Sequence, residues 1–364
     1  MASSDEKFMR LALELAAKAK GRTRPNPQVG AVVVRSGRIV GTGWHKRAGL
    51  PHAEVIAIRR AGRKARGATL YVTLEPCVHT GRTGPCTELI KKAGIRRVVA
   101  AMIDPNPKVA GKGIRALKAA GIKVSTGLLE SQARFLNEIF VTWMKKKRPF
   151  VTVKIAQSLD GKIAARSGDS RWISSPASRE WVHHLRAGTD AILVGVETVL
   201  KDDPRLTVRL NGGGKQPVKI VLDSRLRTSA KARIFTSKAP VIIATTSAAS
   251  KEKEKKLQHA GAQVIRFPAQ KGRVPLKPLL RRLAAMEISH LLIEGGGEVI
   301  ASAFQARAVD RIFCLIAPTI IGGRSAPTSV GGEGIPSLKR AYALEKMTVR
   351  PLGPDLLVAA QVSC

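Results

Sequence analysis

The stretch LEPCVHTGRTGPC, residues 74–86, sets Cys77 and Cys86 in a glycine-rich loop bracketed by prolines, in a chain of 364 residues with four cysteines. A β-rich run, GATLYVT at 67–73, leads into it. CTELIKKAG at 86–94 leaves it with helical spacing and a glycine stop. A strand that runs into a cysteine loop and restarts as a helix is one step of an α/β layered domain. Three readings compete for the pair: a disulfide, a redox couple, or half of a metal site. Cys314 and Cys364 lie far away. Such sparse cysteines favour a metal or catalytic role over a staple in a reducing compartment.

Working outward, VGAVVVRSGRIVGTGWH at 29–45 reads as two strands joined by a tight turn, and HAEVIAIRRAG at 52–62 has helical spacing. IRRVVAAMIDPNP is a buried-type strand, and GIRALKAAG and IKVSTGLL repeat helix then strand. The charge run WMKKKRPF, residues 143–150, marks a boundary, with one domain expected over 1–147 and a second over 148–364. In the second, strands are expected at DAILVGV, VKIVLD, PVIIATT, QVIRF, HLLIEGG and RIFCLIAP after an opening FVTVKIA, with helices near 176–186, 276–286 and 297–306. NGGGKQP at 211–217 reads as a flexible loop, and no internal repeat is present.

The N-terminus, with Asp5 and Glu6 ahead of an amphipathic pattern, resembles neither a signal peptide nor a transit peptide, and no run of eighteen apolar residues occurs. A cytoplasmic protein without a membrane span is expected. The formal net charge is +37, from 63 basic and 26 acidic residues. The excess covers both halves, with 29 basic and 9 acidic residues up to position 147 and 34 and 17 beyond it. Such a charge attracts polyanions. Aromatics make up only 4 % of the chain, too few for an evident stacking platform, so no specific nucleic-acid partner is expected.

A catalytic zinc takes three protein ligands and leaves one position for water. PHAEV, residues 51–55, supplies His52 as the third ligand beside the two thiolates, with His52 expected in the first turn of its helix. Glu54, two residues on, is placed to shuttle protons without binding the metal. The order His52, Glu54, Pro76, Cys77, Cys86 matches the H-x-E…P-C…C signature of zinc nucleobase deaminases, except that eight residues, not two, separate the cysteines. A Cys77–Cys86 disulfide remains the bland alternative. An RNA-editing deaminase is a rival that the charge favours, and a chain with one inactive half is another.

The longer loop carries a closer resemblance. NPQVGAVVV, GWHKRAGLPHAE, TLEPCVHTGRTGPC and DPNPKVAGKG resemble the deaminase half of the RibD family of bifunctional riboflavin biosynthesis enzymes over residues 6–145. Val78 and Gly84 depart from the serine and proline common there. VKIAQSLDGKIA, SGDSRWISSP, LRAGTDAILVGVETVLKDDPRLTVR, IVLDS, IEGGGEV and APTIIGG resemble that family's reductase half. The resemblance implies a cytidine-deaminase-like α/β/α domain followed by a dihydrofolate-reductase-like α/β domain. It implies zinc-dependent deamination of a diaminopyrimidinone ribosylamine 5′-phosphate, then NADPH-dependent reduction of the ribosyl group to a ribityl chain. A homo-oligomer is expected.

Residue by residue, the resemblance places Asn26, His45, His79 and Arg82 around the deaminase substrate. It places Ala156, Trp172, Thr198, Asp202, Ser224 and the turn Gly296, Gly297, Glu298, Val299, Ile300, Ala301, Ser302 at NADPH. Ser170, Arg186, Leu206, Arg209 and Glu294 would face the reductase substrate, Arg186 and Arg209 being natural phosphate partners. Lys154, on the first strand of that half, is the candidate to polarise the carbon that accepts hydride.

Overall fold

The computed structural model describes residues 4–78 and 84–363, and the chain divides into two compact units, Met1–Lys147 and Arg148–Cys364. The first contains α1 (Ser4–Ala17), β1 (Gly30–Arg35), β2 (Arg38–Trp44), α2 (Ala53–Ala61), β3 (Thr69–Val72), α3 (Cys86–Lys92), β4 (Arg97–Ala100), α4 (Lys112–Ala119), β5 (Lys123–Thr126), α5 (Glu130–Leu136) and α6 (Glu138–Lys146). The sheet order is β2-β1-β3-β4-β5. β1 runs antiparallel to both β2 and β3, while β3, β4 and β5 are parallel.

The valine run of β1 is buried from Gly30 to Val34, which requires cover on both faces of the sheet. Side chains alternate along a strand, so Gly30 and Ala31 mark opposite faces. A Cβ on Gly30 would stand 2.0 Å from Ala12 O, so α1 lies against that face. Gly43, paired with Ala31, marks the other, and a Cβ there would stand 2.4 Å from Ala53 O. Glycine at 43 thus lets α2 lie directly on the sheet, fixing the start of α2 where the site is built. The result is an α/β/α sandwich.

The second unit contains β6 (Phe150–Ser158), α7 (Pro176–Ala187), β7 (Ala191–Gly195), α8 (Val196–Asp202), β8 (Val218–Leu222), β9 (Val241–Thr246), α9 (Lys251–His259), β10 (Ala262–Phe267), α10 (Leu276–Ala285), β11 (His290–Glu294), α11 (Gly297–Gln305), β12 (Arg311–Ala317), β13 (Leu344–Leu352) and β14 (Asp355–Val362). Its nine strands run β10-β9-β8-β7-β11-β6-β12-β14-β13, parallel as far as β12 and antiparallel beyond. The sheet has two cores. Ala191 and Leu193 of β7 pack with Leu279, Leu283 and Phe304 from α10 and α11, whereas Ile192 and Val194 pack with Val199 and Leu257 from α8 and α9. Helices on both faces explain why the central strands read as unbroken apolar runs.

Every strand and helix expected from the sequence is present. Helix α9 escaped sequence reading because its KEKEKKLQH pattern buries only Leu257. The closing β13–β14 hairpin was also missed. β13 is exposed over most of its length and lacks the alternation that marks a half-buried strand. Among the described residues no helix is long and apolar enough to cross a membrane.

Candidate active sites

In the first unit the site forms where α2 and α3 begin. His52 is the N-cap of α2, with an extended backbone at φ −69° and ψ 162°, so it precedes the first turn in which it was expected. Its Nδ1 lies 3.2 Å from Cys86 Sγ and 3.6 Å from Cys77 Sγ, and the three donor atoms all fall within 4.8 Å of one another. Both thiols are free, which removes the disulfide reading. Cys86 opens α3, and its backbone N–H donates to Cys77 Sγ at 3.4 Å. Thr87 holds the loop from below, its N–H and its hydroxyl both donating to Cys77 O at 3.2 Å.

The electrostatics are those of a cation site. The hydrogen bond from Cys86 pulls the Cys77 thiol down to about 4, against burial and with help from His52. The same bond, followed by burial, pushes Cys86 up. The hydrogen bond to Cys77 raises His52, against burial. One imidazole and two thiols converging on a point, one thiol already disposed to ionise, match a three-ligand zinc set with a fourth position open. The donor set therefore fits zinc.

Glu54, two residues into the same helix turn, is 4 % exposed, and burial pushes its carboxyl above the usual range. Asn26 Nδ2 lies 3.3 Å from His45 Nε2, while His45 Nδ1 faces Pro51 O at 3.2 Å and the His45 ring meets His52 edge-on at 5.5 Å. Burial lowers the pKa of His45, so a neutral ring is favoured there. The structure thus gathers Asn26, His45, His52, Glu54, Cys77 and Cys86. His79 and Arg82 lie outside the described residues. Glu75 and Asp104, also buried beside this loop, were not singled out from the sequence. A charged residue at the end of an apolar strand was the available signal.

In the second unit a cavity of about 1050 Å³ opens at the carboxyl ends of β6, β7 and β11. Ligands of open α/β sheets bind at such strand ends. Its wall includes Lys154, Ala156, Ser170, Trp172, Arg186, Thr198, Asp202, Leu206, Arg209, Glu294, Gly296, Gly297, Glu298, Val299 and Ile300. Three of the residues expected at the cofactor are not in it. Ser224 Oγ accepts instead from Val274 N at 3.3 Å, Ala301 is buried on α11, and Ser302 Oγ turns back to donate to Glu298 O at 2.8 Å.

Glu294, 7 % exposed, ends β11 opposite Lys154 in register. Arg186 clamps it bidentately, Nε to Oε1 at 2.6 Å and Nη2 to Oε2 at 2.8 Å, and spends Nη1 on Thr207 O at 3.1 Å. Three of its five N–H donors are thus spent on Glu294 and Thr207, so Arg186 orients the carboxylate and keeps one N–H on each Nη. Lys154 Nζ stands 3.9 Å from Glu294 Oε2. Burial lowers Lys154 despite that carboxylate. Burial pushes Glu294 up, but the charge and hydrogen bonds of Arg186 outweigh it and hold the carboxyl low. Arg209 is lowered by burial and by the like charges of Arg186, Arg205 and Arg233, a cluster that an anion would relieve.

Residues 149–358 match the profile of the RibD C-terminal domain, and residues 2–102 match that of the cytidine and deoxycytidylate deaminase zinc-binding region. The riboflavin biosynthesis protein RibD of Aquifex aeolicus is 49 % identical over 355 residues, covering 97 % of each chain. The solved RibD of Acinetobacter baumannii superposes with a TM-score of 0.87 at 37 % identity, covering 99 % of each chain. A Thermotoga maritima structure described as a diaminohydroxyphosphoribosylaminopyrimidine deaminase and 5-amino-6-(5-phosphoribosylamino)uracil reductase gives 0.84 at 39 % identity, again covering 99 % of each. The chain therefore belongs to the RibD family and is a bifunctional enzyme of riboflavin biosynthesis, a zinc-dependent deaminase joined to an NADPH-dependent reductase.

Proposed function

We propose that residues 1–147 deaminate a diaminopyrimidinone ribosylamine 5′-phosphate and that residues 148–364 reduce the ribosyl group of the deaminated product. The observation that carries the first half is the convergence of His52 Nδ1, Cys77 Sγ and Cys86 Sγ with buried Glu54 beside them. His52, Cys77 and Cys86 would hold the zinc, which would supply Lewis acidity to a water. Glu54 would take a proton from the attacking water and return it to the departing amine, a task suited to a carboxyl whose pKa burial has raised. Neutral His45, with Nδ1–H on Pro51 O and Nε2 accepting from Asn26, orients the Asn26 amide, whose oxygen and second N–H are left for the ring edge, and the motif positions of His79 and Arg82 assign them to the sugar phosphate.

In the second half, bound NADPH supplies hydride. Ala156, Trp172, Thr198, Asp202 and the turn from Gly296 to Ile300 form the wall that would hold it, with the glycine-rich start of α11 suited to a pyrophosphate. Ser170, Leu206, Arg209 and Glu294 face the sugar, with Arg209 as the phosphate partner. Lys154, as an ammonium, donates to the oxygen or nitrogen on the carbon being reduced, and Glu294 holds that ammonium in place while Arg186 holds Glu294.

We also expect a cytosolic homo-oligomer without a specific nucleic-acid partner. Exposed Met347 and Val349 along the edge strand β13 support self-association, which sedimentation velocity tests. The function itself is tested by metal content together with conversion of the diaminopyrimidinone phosphate, with and without NADPH. One zinc per chain, deamination without NADPH and ribityl formation only with it are expected. A zinc-free active deaminase would overturn the first half.

A further inference from the structure

Glu75 follows β3 in the run that delivers Cys77, and at 3 % exposure it is a buried acid. Such burial is costly unless the charge is fully hydrogen-bonded. Its three partners are backbone N–H groups on one neighbouring segment. Oε2 accepts from Asp104 at 3.1 Å and from Gly111 at 2.8 Å, and Oε1 accepts from Ile114 at 3.1 Å. Gly111 is the N-cap of α4 and has no side chain to cap the helix, so Glu75 supplies that cap from across the sheet. Its own N–H donates to Met102 O at 3.0 Å, tying the ends of β3 and β4 together.

The contact continues into the metal loop. A Cβ on Gly113 would stand 2.1 Å from Pro76 O and 3.1 Å from Glu75 Oε1, so the first turn of α4 lies directly on the backbone that precedes Cys77. Only glycine permits that approach. Cys77 is thus held on one side by α3, through Thr87, and on the other by α4, through Glu75. We propose that Glu75 is a positioning residue of the deaminase, fixing the Cys77 thiolate at the metal by locking Pro76 and Cys77 against α4. Groups that orient metal ligands typically matter 10- to 100-fold for metal affinity or activity.

This role rests on the deaminase reading above, and the test separates the two. Full-length E75Q and E75A chains are loaded with cobalt, and the thiolate-to-metal and d–d absorption bands are recorded. Chelator competition, deamination kcat and KM, and reduction of the already deaminated substrate are measured alongside. Amide exchange at Asp104, Gly111 and Ile114 is followed in the metal-free chain. In E75Q the three amides should exchange faster, the cobalt bands shift, and kcat fall about tenfold with KM within twofold, while reduction is unchanged. E75A should show the same pattern with a larger loss. Wild-type bands and kcat in E75Q, even with a lowered melting temperature, would reduce Glu75 to a purely structural cap and overturn the proposal, and E75Q decides if E75A does not fold. A wild-type chain that neither binds cobalt nor deaminates would sink the deaminase reading, and this role with it.

Discussion

The two sites of this chain are built on opposite plans. The metal site of the first unit is small, and its donors lie within 4.8 Å of one another, His52 and Cys86 at the starts of two helices and Cys77 in the loop after β3. The site in the second unit is a cavity of about 1050 Å³ whose wall is gathered from several segments between Lys154 and Gly331. In the first, the protein's own side chains complete the reactive centre. In the second, the reactive atom belongs to the cofactor and the protein mainly aligns it with the sugar. Single substitutions should therefore be close to all-or-none in the first unit and graded in the second.

The largest effect is expected at Glu54. E54Q keeps the three metal donors and removes the proton shuttle, so deamination should fall about 10³-fold, within the range typical of lost general acid–base catalysis. Zinc content and reduction of the deaminated substrate should not change. Deamination within tenfold of wild type would show that Glu54 does not carry the proton and would erase the contrast at its strongest point.

Lys154 comes next and tests whether the second unit also depends on a protein proton. K154M should lower kcat of reduction about 10²-fold, and a loss under threefold would leave the cofactor alone responsible. The pH profile gives an independent reading. Burial lowers Lys154, so its ammonium form is lost as pH rises through a value below the ordinary lysine range of about 10.4. Reduction should be flat on the acid side of that value and fall above it. In K154R, whose guanidinium stays charged, that fall should disappear.

At Arg209 the effect should lie in binding. R209A removes one charge-assisted partner of the phosphate, so KM for the phosphorylated substrate should rise roughly ten- to a hundredfold, with kcat within threefold. An equal loss in kcat would mean that Arg209 acts on the transition state, and the division of labour in the cavity would have to be redrawn.

The same contrast decides what could be read in advance. His52, Glu54, Cys77 and Cys86 were legible because metal chemistry demands particular residue types, and few other positions offer them. Even so, the sequence did not show that His52 would be a cap, since the last residue outside a helix and the first inside it carry the same local pattern. In the second unit the layered sheet was legible from its apolar runs, but Ser224, Ala301 and Ser302 were placed at the cofactor by resemblance and lie outside the wall. A strand-to-helix turn presents only its first residues to a cleft, and Ser302 is past that point on α11. The bond pattern of Arg186 was out of reach, because a guanidinium that clamps Glu294 and one that waits for phosphate look alike in sequence. Glu75 was hidden for a similar reason, since its partners are backbone amides, which leave no mark on residue type.

The smallest effect concerns charge. The excess of basic residues is shared by both halves, 29 against 9 up to position 147 and 34 against 17 beyond it. If it is a general surface property, both reactions should answer to salt alike, because each substrate carries one phosphate and meets few cations. A nucleic-acid ligand held through 6–10 phosphates loses about 10³- to 10⁵-fold in affinity between roughly 50 and 200 mM salt. One phosphate per site should cost only about a fewfold change in kcat/KM over that range. Turnover of the small substrates by each half, and of a transfer RNA offered to the deaminase, can be compared across one salt series. Parallel shallow slopes for the two small-molecule reactions, with no RNA deamination at physiological salt, are expected. A steep slope confined to the deaminase would tie the charge to that half and revive the RNA-editing reading. A steep slope confined to the reductase would point instead to the cluster of Arg205, Arg209 and Arg233 beside the Glu294-paired Arg186, where burial and then neighbouring like charges disfavour the charge of Arg209.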